Sequence, residues 1–216
     1  MTSLLFSLLL LFLPGSALCG ITLPEQERTQ LMPEALKKIH TLECDFQQER
    51  EVSVLAEKGV SRGRLIYKKN KALLWQYQVP DCSGFLLRAD VMTILDPTGK
   101  PLSDDGSSGL FRHIGRIILM GIDGSILENK ELFVPENIPS EDYIHIRLIP
   151  AQREMKRLFS DLELFFRKED YVIQTVVINE TSGDKTTVRM GNIRINRPLD
   201  DKTFDAYVSQ QPLPDR

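Results

Sequence analysis

Two rows of large apolar side chains carry the clearest chemistry in this chain. On a strand near 60–68, Leu65 and Tyr67 fall on one face. On the next, near 72–79, Leu73, Trp75, Tyr77 and Val79 share a face while Leu74, Gln76 and Gln78 turn away. Such rows on antiparallel neighbours build an apolar wall, and an apolar wall binds apolar ligands. Trp75 is the only tryptophan in the chain, and a basic turn of Lys68, Lys69, Asn70 and Lys71 joins the two strands.

Groups suited to catalysis are sparse. His40, His113 and His145 stand singly, with no cysteine or carboxylate at metal-ligand spacing, so no metal site is expected. There is no Gly-x-Ser-x-Gly elbow and no His-Glu-x-x-His. Ser107 and Ser108 lie in a Gly-flanked run that reads as a solvated linker and not as a nucleophile site. Gly59, Gly63, Gly121 and Gly124 do not make a phosphate loop. Glu49 and Glu51 form the acidic pair nearest the tryptophan, on one face of a strand, where solvated carboxylates explain them better than acid–base catalysis. Asn179-Glu180-Thr181 is a glycosylation sequon, meaningful only in a eukaryotic secretory pathway. The expectation is a protein without enzymatic activity or cofactor.

The chain start reads as an export signal. Residues 4–13 are apolar except for Ser7, and Pro14, Gly15 and small residues follow. A run of about ten residues suits a signal-peptide core and falls short of the ~20 needed to span a bilayer. The segment before it lacks Lys and Arg, which leaves an uncleaved anchor as the alternative. Leu18 is too bulky to favour lipid attachment at Cys19. The division expected is 1–19 as signal peptide and 20–216 as a single domain. Cys44 and Cys82 then remain, and two readings stand: a disulfide in an oxidising compartment, or a buried thiol in phase with Leu42 and Phe46 plus an unrelated loop thiol. A formal charge of −3, from 27 basic and 30 acidic residues, gives no case for nucleic acid as a partner.

Several elements must position the wall. Leu31, Met32, Ala35, Leu36, Ile39 and Leu42 recur at helical spacing, and Pro33 suits a first turn, so a helix is expected from about 33 to 42. Strands follow near 43–52, 60–68, 72–79, 83–88 and 91–96, the last closed by a turn at Asp96, Pro97, Thr98 and Gly99. A flexible run at 104–109 precedes an apolar helix carrying Leu110, Phe111, Ile114, Ile117 and Ile118, which Ser107 or Ser108 could cap and Gly121 could end. After a mixed stretch through Pro139, strands are expected near 143–149, 157–167, 171–179 and 185–195. Ile144, Ile146 and Leu148 share one face, and Leu162, Leu164 and Phe166 another. Residues 179–184 form a hairpin tip, and the tail after Tyr207 reads as loose. A helix inserted between two meanders is either a static cover or a hinged lid.

The order Phe46-x-Gln48, then Gly63-x-Leu65-x-Tyr67, a basic turn, Leu73-x-Trp75 and Pro80 resembles the periplasmic lipoprotein carrier LolA and its relatives. The resemblance is specific over residues 42–97 and colinear through Phe204. It implies a mainly β fold: an open, unclosed antiparallel β-barrel with an N-terminal helix and a helical lid over an apolar cavity. It implies a periplasmic carrier that shelters the acyl chains of lipoproteins between the inner and outer membranes, with a lipid-binding module for another exporter as the alternative. Acylated lipoproteins or lipids, an inner-membrane ABC transporter and an outer-membrane acceptor would be the partners, and a monomer is expected. The acyl cavity would be lined by Phe46, Leu65, Tyr67, Leu73, Trp75, Ile144, Ile146, Leu148, Leu162 and Leu164, with the lid built on Leu110, Phe111, Ile114, Ile117 and Ile118. Lys69 stands where the family carries an arginine that controls lid closure and release. Lysine cannot reproduce an arginine's planar contacts. The ending Phe204-Asp205-Ala206-Tyr207 also departs from the family's proline-and-glycine ending.

Overall fold

Strands form wherever apolar side chains alternate along the chain, and their register then decides which of them share a core. The computed structural model describes residues 25–54, 58–88, 91–102 and 109–207. The signal-like segment 1–19, the candidate caps Ser107 and Ser108, and the tail after Tyr207 lie outside the described residues. The chain opens with α1 (Glu25–Leu36) and a five-strand meander: β1 (Thr41–Glu51), β2 (Lys58–Lys68), β3 (Ala72–Val79), β4 (Gly84–Arg88) and β5 (Val91–Leu95). Then come α2 (Gly109–Asp123), α3 (Ser125–Glu128), β6 (Phe133–Ile138) and β7 (Tyr143–Pro150). The rest is α4 (Arg153–Leu158), β8 (Phe159–Arg167), β9 (Ile173–Glu180), β10 (Lys185–Ile195) and a 3-10 helix (Asp201–Tyr207).

The ten strands make one antiparallel sheet in the order β5-β4-β3-β2-β1-β10-β9-β8-β7-β6. Two meanders therefore meet where β1 pairs with β10, and α2 with α3 carries the chain from one edge strand, β5, to the other, β6. The edges do not pair, so the barrel stays open. Nine inter-strand spacings would stretch a flat sheet over roughly 43 Å. Yet Leu42, Leu65, Leu73, Phe85, Met92, Phe133, Ile144, Leu162, Val176 and Val188, one from each strand, belong to a single buried cluster with Ile117 and Ile122 of α2. The sheet curls around that helix.

On its other face, part of the sheet is also covered. Ile66, Ala72, Leu74, Leu86 and Leu95 pack with Phe204 of the 3-10 helix, whose ring is fully buried. This second layer explains why the first five residues of β3 are all buried where simple alternation predicts an exposed face.

The expected helix at 33–42 is displaced. It spans Glu25–Leu36, with Pro33 in its last turn, not its first. Leu42 keeps period two with Cys44 and Phe46 and joins β1, while Met32, Leu36 and Ile39 still reach the core; Leu31 is half exposed. Nor does α2 stop at Gly121. It ends at Gly124, whose φ of 79° suits a residue without Cβ. Three elements carry weak sequence signals. β6 is an edge strand with Pro135 in it, α4 rests on one buried residue, Met155, and α3 on Ile126.

Candidate functional site

The apolar wall begins with a substitution of space for side chain. Gly63 lies directly opposite Phe46, and a Cβ there would sit 2.5 Å from the Phe46 ring and 2.2 Å from the Gln76 carbonyl oxygen. Glycine thus lets the Phe46 ring lie across β2 and stack on Trp75, with ring centroids 3.9 Å apart and planes at 24°. The cross-strand register Leu65–Trp75–Phe85 extends the row, and the Trp75 and Phe85 rings are parallel with centroids 6.4 Å apart.

Over this wall α2 is seated unevenly. At Gly115 a Cβ would lie 2.8 Å from Met92 Cε and 3.1 Å from Phe85 Cε2, so the backbone meets the sheet closely there. Six residues on, at Gly121, the nearest atom to an added Cβ is Ile173 Cδ1 at 3.8 Å. Between helix and sheet at that end is a cavity of about 220 Å³. Trp75, Phe85, Ile117, Ile118, Ile122 and Leu164 are among its apolar lining, and Val176, Ile178, Val188 and Met190 supply the β9–β10 side.

One end of the cavity is polar. Gln48, Arg50, Tyr77, Glu180 and Thr186 lie there. The Tyr77 hydroxyl donates to Gln48 Oε1 at 2.9 Å, and burial holds the phenol above its ordinary range, so it remains a donor at neutral pH. Arg50 Nη2 is 3.5 Å from Glu180 Oε1 and 3.4 Å from Asp184 Oδ2, at the limit of hydrogen bonding. A second hollow of about 230 Å³ lies under the basic turn, between Tyr67, Lys69, Leu73 and the Leu119 and Asp123 positions of α2. Its lysines make it a poor match for an acyl chain.

A family model described as outer membrane lipoprotein carrier protein LolA matches residues 37–206, well over half of the chain. The chain belongs to the LolA family. An uncharacterized conserved protein from Thermus thermophilus shares the fold at 10% identity and a TM-score of 0.50, over 86% of this chain and 94% of its own. A LolA superfamily protein from Nitrosomonas europaea aligns at 11% identity over 85% and 98% of the two chains, with a TM-score of 0.44. The lipoprotein LppX of Mycobacterium tuberculosis aligns at 10% identity over 82% and 97%, with a TM-score of 0.43. No curated protein sequence matches the chain.

Against the LolA-derived expectations, Trp75 and Leu164 are on the cavity wall, with Phe46 stacked against Trp75. Tyr67 and Leu73 line the second hollow. Leu65, Ile144, Ile146, Leu148 and Leu162 are fully buried in the same core. Ile117 and Ile118 of α2 face the cavity; the side chains of Leu110, Phe111 and Ile114 lie outside the described residues. Phe85, Ile122 and the β9–β10 residues were not anticipated as lining. Period two in Val176 and Ile178, and again in Val188 and Met190, was the available signal. Lys69, expected to replace the family's lid arginine, donates from Nζ to the Lys37 carbonyl at 2.5 Å, just beyond α1.

The cysteines are not bridged. Cys44 is buried in β1 and Cys82 is exposed in the turn between β3 and β4. Two strand spacings of ~4.8 Å separate β1 from β3, more than the ~7 Å between Cα atoms that a disulfide tolerates. Burial pushes the Cys44 thiol up to about 12. His145 Nε2 lies 2.7 Å from Glu163 Oε2, while Glu49 pairs with Arg189 at 2.8 Å and Glu51 with Lys58 at 3.0 Å. Among the described residues, no His, Cys, Asp and Glu group could hold a metal, and no helix is long and apolar enough to cross a membrane.

Proposed function

We propose that this protein is a periplasmic carrier that shelters the acyl chains of lipoproteins in the cavity under α2 and moves them from the inner to the outer membrane. The observation that carries the reading is the apolar hollow left where α2 stands off a floor of Trp75, Phe85 and Leu164, in a chain of the LolA family. Burial supplies the affinity. Each methylene taken out of water contributes about 0.8 kcal/mol, so a cavity that hides only part of a chain still retains it. Release requires the opposite movement, and α2 is suited to it: it rests closely on the sheet at Gly115 and loosely at Gly121. An inner-membrane ABC transporter would load the carrier and an outer-membrane acceptor would empty it. Its role is binding, with no bond made or broken.

Mass spectrometry of ligand copurified with the full chain tests this proposal. A triacylated lipoprotein or its N-terminal peptide is the expected cargo. A free lipid alone would overturn lipoprotein carriage in favour of a lipid-binding module for a different exporter. Since Trp75 is the only tryptophan and lies on the cavity wall, its fluorescence reports occupancy without a label.

A further inference from the structure

We infer that the polar end of the cavity is a head-group site for ester-linked acyl chains, accepting neutral carbonyl oxygens and discriminating against a free carboxylate. The inference rests on the acyl-cavity reading above and adds to it the chemistry of the head.

Donors without protein acceptors point to it. Gln48 lines the cavity and uses its carbonyl oxygen to accept from Tyr77, and its amide NH₂ donates to no described residue. Thr186 is 9% exposed, lines the same end, and its hydroxyl likewise donates to no described residue. The register places Thr186 directly across from Arg50, and Val188 across from Gln48, so the polar pair of residues on β1 meets β10 at the edge of the apolar floor. Both donors are reached by solvent when the cavity holds no ligand, and a ligand oxygen that replaces that water keeps their hydrogen bonds made as the apolar chain excludes it.

The charges then choose between acceptors. Among the described residues, the charged side chains on this wall are Arg50 and Glu180, and Arg50 is already shared between Glu180 and Asp184. A carboxylate would find the cation neutralised and Glu180 beside it. Ester oxygens carry no such penalty and still accept from Gln48 and Thr186. An acylglycerol head fits, whether it belongs to a glycerolipid or to the diacylglyceryl group of a lipoprotein.

Displacement of N-phenyl-1-naphthylamine from the full chain tests the inference, because this probe is apolar and lacks a carbonyl. At equal chain length, 1-palmitoylglycerol should displace it at about tenfold lower concentration than palmitate. Thr186→Val keeps shape and strand preference, and should narrow that ratio roughly five- to tenfold, one hydrogen bond's worth. Gln48→Leu should do the same while also leaving Tyr77 without its acceptor. Both residues line the cavity, so each variant's own affinity for the probe is measured first and the ester-to-palmitate ratio is taken within that variant, where a change in probe binding cancels. Comparing 1,2-dipalmitoylglycerol with a dipalmitoyl-glyceryl-cysteinyl peptide separates the two sources of the head, the tighter one being the physiological class. Palmitate competing as well as its glycerol ester, or ratios untouched in both variants, would overturn the head-group site while leaving the cavity reading intact. A wild-type chain that binds neither probe nor ester would overturn both.

Discussion

Trp75 shows how one side chain can serve fold and site together. Its ring is 3% exposed, pressed on Phe46 and open to the cavity on another side. Trp75→Ala should cut acyl-ligand retention several-fold and lower stability by about 3 kcal/mol, the low end for such a truncation because the site already adjoins a void. Circular dichroism, thermal melts and ligand displacement read these separately; unchanged retention would remove Trp75 from the site. The cysteines give a sharper contrast. Burial holds the Cys44 thiol near 12 whereas Cys82 is exposed. Alkylation at pH 8 followed by peptide mapping should label Cys82 in the native protein and Cys44 only after denaturation.

Among the elements, α2 decides whether there is a cavity at all. Gly121 lines the cavity, and an added Cβ there would make only ordinary contact, with Ile173 Cδ1 at 3.8 Å. Gly121→Leu should therefore raise helix stability by up to about 1 kcal/mol from propensity alone and at the same time reduce acyl binding tenfold or more by filling the hollow. A more stable protein with unimpaired binding would place the ligand elsewhere. Gly115→Leu should behave oppositely, losing stability because Met92 and Phe85 occupy the space its side chain needs. The pair distinguishes the seated turn of the helix from the turn that stands off.

For the molecule as a whole, an open sheet of ten strands depends on what covers its outer face. Phe204 is fully buried against Leu74, Leu86 and Leu95, and Phe204→Ala should cost about 3–5 kcal/mol although it does not line the cavity. The same 3-10 helix is tied down by Asp201, which Lys68 and Lys71 meet at 2.6 and 3.1 Å and whose carboxyl they hold below its ordinary range. Asp184 is held low as well, chiefly by the Ser53 backbone N–H. A depressed carboxyl stabilises the fold above its unfolded value and stops doing so as pH falls through its folded value. The melting temperature should accordingly be insensitive to these groups near neutrality and fall as pH drops below about 4. Asp201→Asn should flatten part of that fall.

The strand pattern was legible in the sequence because a half-buried strand must repeat every two residues. The runs at 60–68, 72–79 and 185–195 became β2, β3 and β10 with little change in their ends. The Trp75 row, the apolar helix between two meanders and the family likeness followed from local spacing and order. Elements with one buried anchor, such as α4, left no such trace, and Leu42, which falls at helical spacing after Ile39, also keeps period two with Cys44 and Phe46 and belongs to β1. Only the tertiary structure decided where the hollow lies. It depends on how far α2 stands from the sheet, close at Gly115 and in ordinary contact at Gly121, and on the register that brings Gln48 and Arg50 to Thr186 from the far end of the chain. Local sequence dictates which face a side chain takes; long-range pairing dictates which side chains meet across a gap.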